Sequence, residues 1–135
     1  MVGAKLIDQN KHQPLYKYTS MKNVLGLEEL GMFLLSFVLF LHIDIAWWWF
    51  LVLLLLPDIS MAGYLMGDKS GAILYNIFHH KGLAILVMVS GYYLDMEFLC
   101  IAGIILFAHA SMDRIFGYGL KYQNGFKFTH LGEIG

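Results

Sequence analysis

Hydrophobic residues in this chain dominate four long stretches, at about 24–43, 46–66, 72–94 and 98–118, which hold a few isolated polar positions and are separated by short polar gaps. Each stretch approaches the roughly 20 residues that a helix needs to cross a bilayer. Asp44 alone divides the first two stretches. The segment Met66-Gly67-Asp68-Lys69-Ser70-Gly71 is a loop by its glycines and charges, and Leu94-Asp95-Met96-Glu97 is a tight turn. Three short connections force antiparallel neighbours. The pattern therefore predicts an all-α, polytopic membrane four-helix bundle over residues 21–120, in up-down-up-down order. A strand reading fails because the runs do not alternate and are too long for barrel strands.

The polar ends fix an orientation. Residues 1–20 are polar and without helical periodicity, which predicts an N-terminal tail that takes no part in the fold; Met21-Lys22 resembles a natural start just before a span. They lack the basic start, short apolar core and cleavage site of a secretory signal. Residues 121–135 are expected to form a C-terminal tail. Lys5, Lys11, Lys17, Lys22, Lys69, Lys121 and Lys127 all fall on one side of the predicted bundle, while the opposite side receives Asp44, Asp95 and Glu97. By the positive-inside rule both termini are cytoplasmic, and Trp47, Trp48 and Trp49 form an aromatic anchor at the external interface. The expected location is the inner (plasma) membrane, as a multi-pass protein with membrane lipid as its surroundings.

Composition agrees: 59% of residues are hydrophobic and 14% charged, outside the range of an ordinary soluble domain. Cys100 is the single cysteine, which excludes an internal disulfide or a multi-cysteine metal cluster. No basic run points to nucleic acid.

Ionisable residues inside membrane helices are expensive, about 2.5–3.5 kcal/mol each at the helix centre, so several in one small protein need partners or a purpose. At 1.5 Å per residue from the external turns, Asp58, His79, His109, Asp113 and the pair Glu28-Glu29 all lie roughly 18–24 Å deep, in one layer of the cytoplasmic half. Periodicity puts Asn76, His79 and His80 on one helix face and His109 with Asp113 on another. Pro57 frees backbone beside Asp58. Imidazole and carboxylate together suit one divalent transition-metal ion, zinc, manganese or iron. The candidate ligands are Asp58, His79 or His80, His109 and Asp113, with Glu28 and Asn76 as supporting or alternative groups. Mutual pairing of these residues without a metal is the competing reading. Lys81 and Arg114 point elsewhere and can snorkel to the headgroups. The Gly-Tyr-Gly at 117–119 lets Phe126, Phe128 and Leu131 fold back, which would allow His130 to cap the site.

The Leu27-Glu28 pair, Leu-Pro-Asp-Ile-Ser-Met-Ala-Gly-Tyr at 56–64, Tyr-Asn-Ile-Phe-His at 75–79, His109 with Asp113-Arg114, the segment 117–122 and Thr129-His130-Leu131-Gly132 together make the chain resemble a small bacterial integral-membrane family catalogued as domain of unknown function family 4260. The order Pro57-Asp58, His79-His80, His109-x-x-x-Asp113 is also similar, more distantly, to inner-membrane metal-dependent hydrolases. Ser60 stands where their second Asp falls and their Thr-His-Ser element is absent, so that resemblance implies at most a one-metal site.

Two functions follow as expectations. In the first, a metal-dependent hydrolase acts on a lipid ester or lipid phosphate, with Asp113 or Glu28 as catalytic proton acceptor and Arg114 and Lys121 holding a phosphate. In the second, the same residues relay protons or pass a metal ion, which four short helices would achieve only as a homo-oligomer. Haem ligation by two histidines is geometrically allowed but has no second cue.

Overall fold

A computed structural model describes residues 15–135, with side chains from residue 19. The order of elements is α1 (Leu15–Leu41), α2 (Trp48–Leu53), a 3-10 helix (Leu56–Met66), α3 (Asp68–Phe78), α4 (Lys81–Tyr93), α5 (Glu97–Ile115) and a hairpin of two-residue strands, β1 (Phe128–Thr129) and β2 (Gly132–Glu133). Three helical segments are long and apolar enough to cross a membrane: Thr19–Leu41, Trp48–Met66 and Glu97–Ile115. The helices α3 and α4 pass the same test only as a pair, bent by 48°. Helix α1 continues upstream through residues 15–20, part of the stretch read from the sequence as a tail; residues 1–14 of that stretch lie outside the described residues.

Exposure is that of a membrane protein. Only 11% of the α1 span is buried, and Leu34, Leu35, Val38, Leu51, Val52 and Leu86 all point outward. A monomer in water rarely presents apolar surface on that scale. The interior is small: Phe40, Phe50, Leu54, Ile104, Ile105 and Ala108 pack together, with Phe33, Phe37 and Phe40 meeting the Phe50 ring edge-on at 5.0–5.8 Å. Helices α4 and α5 approach closely through small residues, as membrane helices do. A Cβ on Gly103 would lie 2.4 Å from the Met88 nitrogen.

Two of the four predicted stretches are single helices and two are broken. The stretch 46–66 changes from α to 3-10 between Leu53 and Leu56, just ahead of Pro57, and 72–94 breaks at His79-His80. Hydropathy does not register the first break, because apolar residues continue through it, whereas the second falls on the polar run His79-His80-Lys81 inside an otherwise apolar stretch. The 3-10 helix packs on α3, where Gly71 lies under the Tyr64 ring; a Cβ there would come within 2.2 Å of it. Residues 117–135 fold back as anticipated: Phe126 meets Tyr64 edge-on at 5.4 Å.

Candidate metal centre

Pro57 begins the site. In 3-10 geometry the Leu54 carbonyl would accept from the N–H three residues on, and residue 57 has none. His109 Nδ1 supplies the missing donor at 2.6 Å. His79, at the end of α3, makes the equivalent bond with its own helix, Nδ1 to the Tyr75 carbonyl at 2.8 Å. A carbonyl only accepts, so both Nδ1 atoms carry hydrogen, and in its neutral form each ring presents an Nε2 lone pair elsewhere. The two Nε2 atoms are buried without a hydrogen-bond partner among the described residues. Their rings meet edge-to-face at 4.8 Å.

Carboxylates flank both lone pairs. Asp58 Oδ1 lies 3.2 Å from His109 Nε2 and 3.7 Å from His79 Nε2. Asp113 reaches the same nitrogens at 3.6 and 3.5 Å through Oδ1 and Oδ2. Charge-assisted N–H···O bonds run about 2.7–2.9 Å, so these are ion-pair separations without hydrogen-bond geometry. They bracket instead the edge of a tetrahedron, roughly 3.3–3.6 Å, whose centre lies about 2.0–2.2 Å from each ligand. Asp58, His79 and His109 each offer one donor atom, all within 4.8 Å of one another. Asp113 flanks that three-donor set and is held by the Tyr75 hydroxyl, which donates to Oδ2 at 2.6 Å. Both imidazoles are fully enclosed, whereas the Asp58 side chain is 40% exposed, so the site opens on its side.

Tyr75 is the residue the sequence reading missed. Besides holding Asp113, its ring stacks on His79 at 3.7 Å and 10°. The signal was the Tyr75 to His79 spacing, i and i+4, which puts both on one face. Lys121 Nζ lies 5.0 Å from the Tyr75 ring and 3.9 Å from Phe126. Asn76 carries Lys121 there: its side chain donates to the Lys121 carbonyl at 2.8 Å and accepts from its N–H at 2.7 Å. Burial pushes the Lys121 amine below the usual lysine range.

Several expected site residues lie elsewhere. His80 does not share the face of His79, because the helix stops between them. It is exposed and caps α4, Nδ1 accepting from Leu83 N–H at 3.1 Å. Glu28 is exposed on α1, while Glu29 turns inward and pairs with Lys81. Arg114 donates to the carbonyls of Tyr118 and His79 at 2.6 and 3.3 Å. His130 accepts from Leu120 N–H at 2.8 Å rather than reaching the imidazoles, and burial together with nearby Arg114 lowers its pKa.

Residues 22–134 match the family described as Domain of unknown function (DUF4260). The chain belongs to this family. The match takes in both histidines and both aspartates of the centre, all of the described spans but the first three residues of Thr19–Leu41, and the C-terminal hairpin. No curated protein and no solved structure matches the chain. As a member of DUF4260 it therefore brings a family description without an activity, and the chemistry of the site has to be argued from the site.

Proposed function

We propose that this protein is a multi-pass inner-membrane protein whose bundle holds one divalent transition-metal ion, zinc, manganese or iron, on Asp58, His79 and His109, and that it hydrolyses a lipid ester or lipid phosphate. The observation that carries the reading is the pair of orphaned Nε2 atoms flanked by carboxylates at 3.2–3.7 Å, close to the edge of a metal's tetrahedron. Pairing alone leaves both nitrogens unsatisfied in a buried site, at a cost of about 1–3 kcal/mol each. An ion satisfies both. Three protein ligands with one open side is the pattern of a catalytic site, whereas a structural site closes with a fourth.

An ion so held supplies a water acidified to near neutrality and a Lewis acid for a carbonyl or phosphoryl oxygen. The remaining steps belong to this chain. Asp113, steadied by Tyr75, accepts the proton of the attacking water and returns it to the leaving group. Tyr75 and the Leu54 carbonyl keep the imidazoles in the tautomer that presents Nε2. Glu28, exposed on α1, has no part in this scheme. The bundle is up-down-up-down, with both termini cytoplasmic and the α3–α4 pair as one broken span; the basic residues of one side support that orientation. The apolar packing of Phe40, Phe50 and Ile104 on the external side favours a closed pocket over a conducting path.

The test is elemental analysis of protein purified without chelators, in detergent. Wild type should carry about one ion per chain; His109→Ala and His79→Ala should lose it, and Lys81→Met should keep it. Thermal unfolding in the same detergent separates ligand loss from misfolding. Wild type with well under one ion per chain would end the hydrolase reading together with the metal.

A further inference from the structure

A groove of about 990 Å³ lies between the N-terminal half of α1, the first residue of α4, the end of α5 and the C-terminal hairpin. None of the four metal-centre residues lines it. Its place follows from the fold: α1 begins its apolar span at Thr19 and α5 ends its own at Ile115, so the groove lies where a bilayer passes into its headgroup layer. Its size is at the upper end of small-molecule sites, about 300–1,000 Å³.

Its lining has two characters. Met21, Leu25 and Phe116 are exposed apolar walls, and a Cβ built on Gly26 meets nothing within 4 Å, so there is open space beside α1. The charged lining is Lys22, Lys81 and Arg114 against Glu29 and Glu133. Lys81 is matched by Glu29. Arg114 and Lys22 have no carboxylate ion-pair partner among the described residues, and Arg114 gives donors only to the Tyr118 and His79 carbonyls. With Lys81 matched, Lys22 and Arg114 outnumber the remaining carboxylate, Glu133, and this net positive lining over an apolar wall at headgroup depth complements an anionic amphiphile.

We propose that the groove binds one anionic phospholipid, its phosphate on Arg114 and Lys22 and its chains along Leu25 and Phe116. Arg114 directly follows Asp113 on α5, which also carries His109, so one helix supplies both a proposed metal donor and a groove cation. The inference thereby names the substrate class for the hydrolase reading; the binding itself rests on the groove and needs no metal.

The test uses the full-length protein in phosphatidylcholine nanodiscs doped with spin-labelled phosphatidylglycerol or spin-labelled phosphatidylcholine, reading the immobilised fraction. Wild type should select phosphatidylglycerol. Lys22→Gln and Arg114→Gln should each reduce that selectivity about fivefold, the worth of one cation near an anionic headgroup. Gly26→Phe should exclude labelled lipid of either kind, and Lys69→Gln, outside the groove, should change nothing. Equal immobilisation of the two lipids by wild type would overturn the proposal, as would full selectivity in Lys22→Gln and Arg114→Gln. Ready displacement of the label by inorganic phosphate would assign the groove to a soluble anion and overturn it too. Selectivity that survives chelation of wild type supports the groove whatever becomes of the metal. Its absence in protein that carries an ion would sink this inference alone.

Discussion

Replacing Tyr75 by phenylalanine keeps the ring that stacks on His79 and removes a single hydroxyl. That hydroxyl donates to Asp113 Oδ2 at 2.6 Å, within the 2.5–2.7 Å of a charge-assisted O–H···O bond. Such bonds contribute about 1.5–3 kcal/mol. Asp113 in turn lies 3.5 and 3.6 Å from the two imidazole nitrogens of the proposed site, so the bond would steady a group next to the proposed ion without touching it. Loss of an outer partner of this kind typically weakens metal binding 10- to 100-fold, about 1.4–2.7 kcal/mol. The expected outcome for Tyr75→Phe is therefore a metal affinity lower by one to two orders of magnitude, with one ion per chain still reached at saturating metal. The assay is competition against a chromogenic chelator in detergent, with thermal unfolding of the metal-free protein as a second readout. In the pairing reading the same substitution destabilises the metal-free fold and has no metal affinity to change. An affinity within threefold of wild type, in protein that does bind metal, would refute the claim that Tyr75 and Asp113 support the ion.

Gly103→Val should destabilise the bundle by about 1–3 kcal/mol or more, because its Cβ would meet Met88 backbone within 2.4–2.6 Å; thermal unfolding in detergent reads it, and an unchanged midpoint would contradict the α4–α5 packing. Because the folded His130 pKa is lowered from 6.5, the unfolded chain binds the proton more readily, so stability falls as pH drops through 6.5 toward the folded value. The protonated ring also can no longer accept from Leu120 N–H. The protection of residues 120–134 against hydrogen exchange, taken relative to the intrinsic rate at each pH, should accordingly fall between pH 7 and pH 5 in wild type and show no such step in His130→Gln. Reporter fusions at Lys69 and at the C-terminus should read cytoplasm and one after Asp95 the exterior; an external C-terminus would reverse the orientation.

Hydropathy alone was enough for the apolar helical architecture, because a span is a statement about length and solvent and needs no knowledge of neighbours. Depth along the chain was enough to gather Asp58, His79, His109 and Asp113, since helix rise is fixed by the backbone. Tertiary structure decided which side chains at that depth face one another. The break at His79-His80 sent one histidine to the centre and the other to a helix cap, although an unbroken helix would have put both on one face. Glu28 and Glu29 were indistinguishable by depth; the rotation of α1 leaves the first outside and pairs the second with Lys81. The Leu54 carbonyl became a partner for His109 through the missing N–H of Pro57, a backbone event that residue types signal only as a kink. Sequence fixes the menu of polar groups at a given depth, and packing of breaks, kinks and helix rotations selects the ones that share a centre.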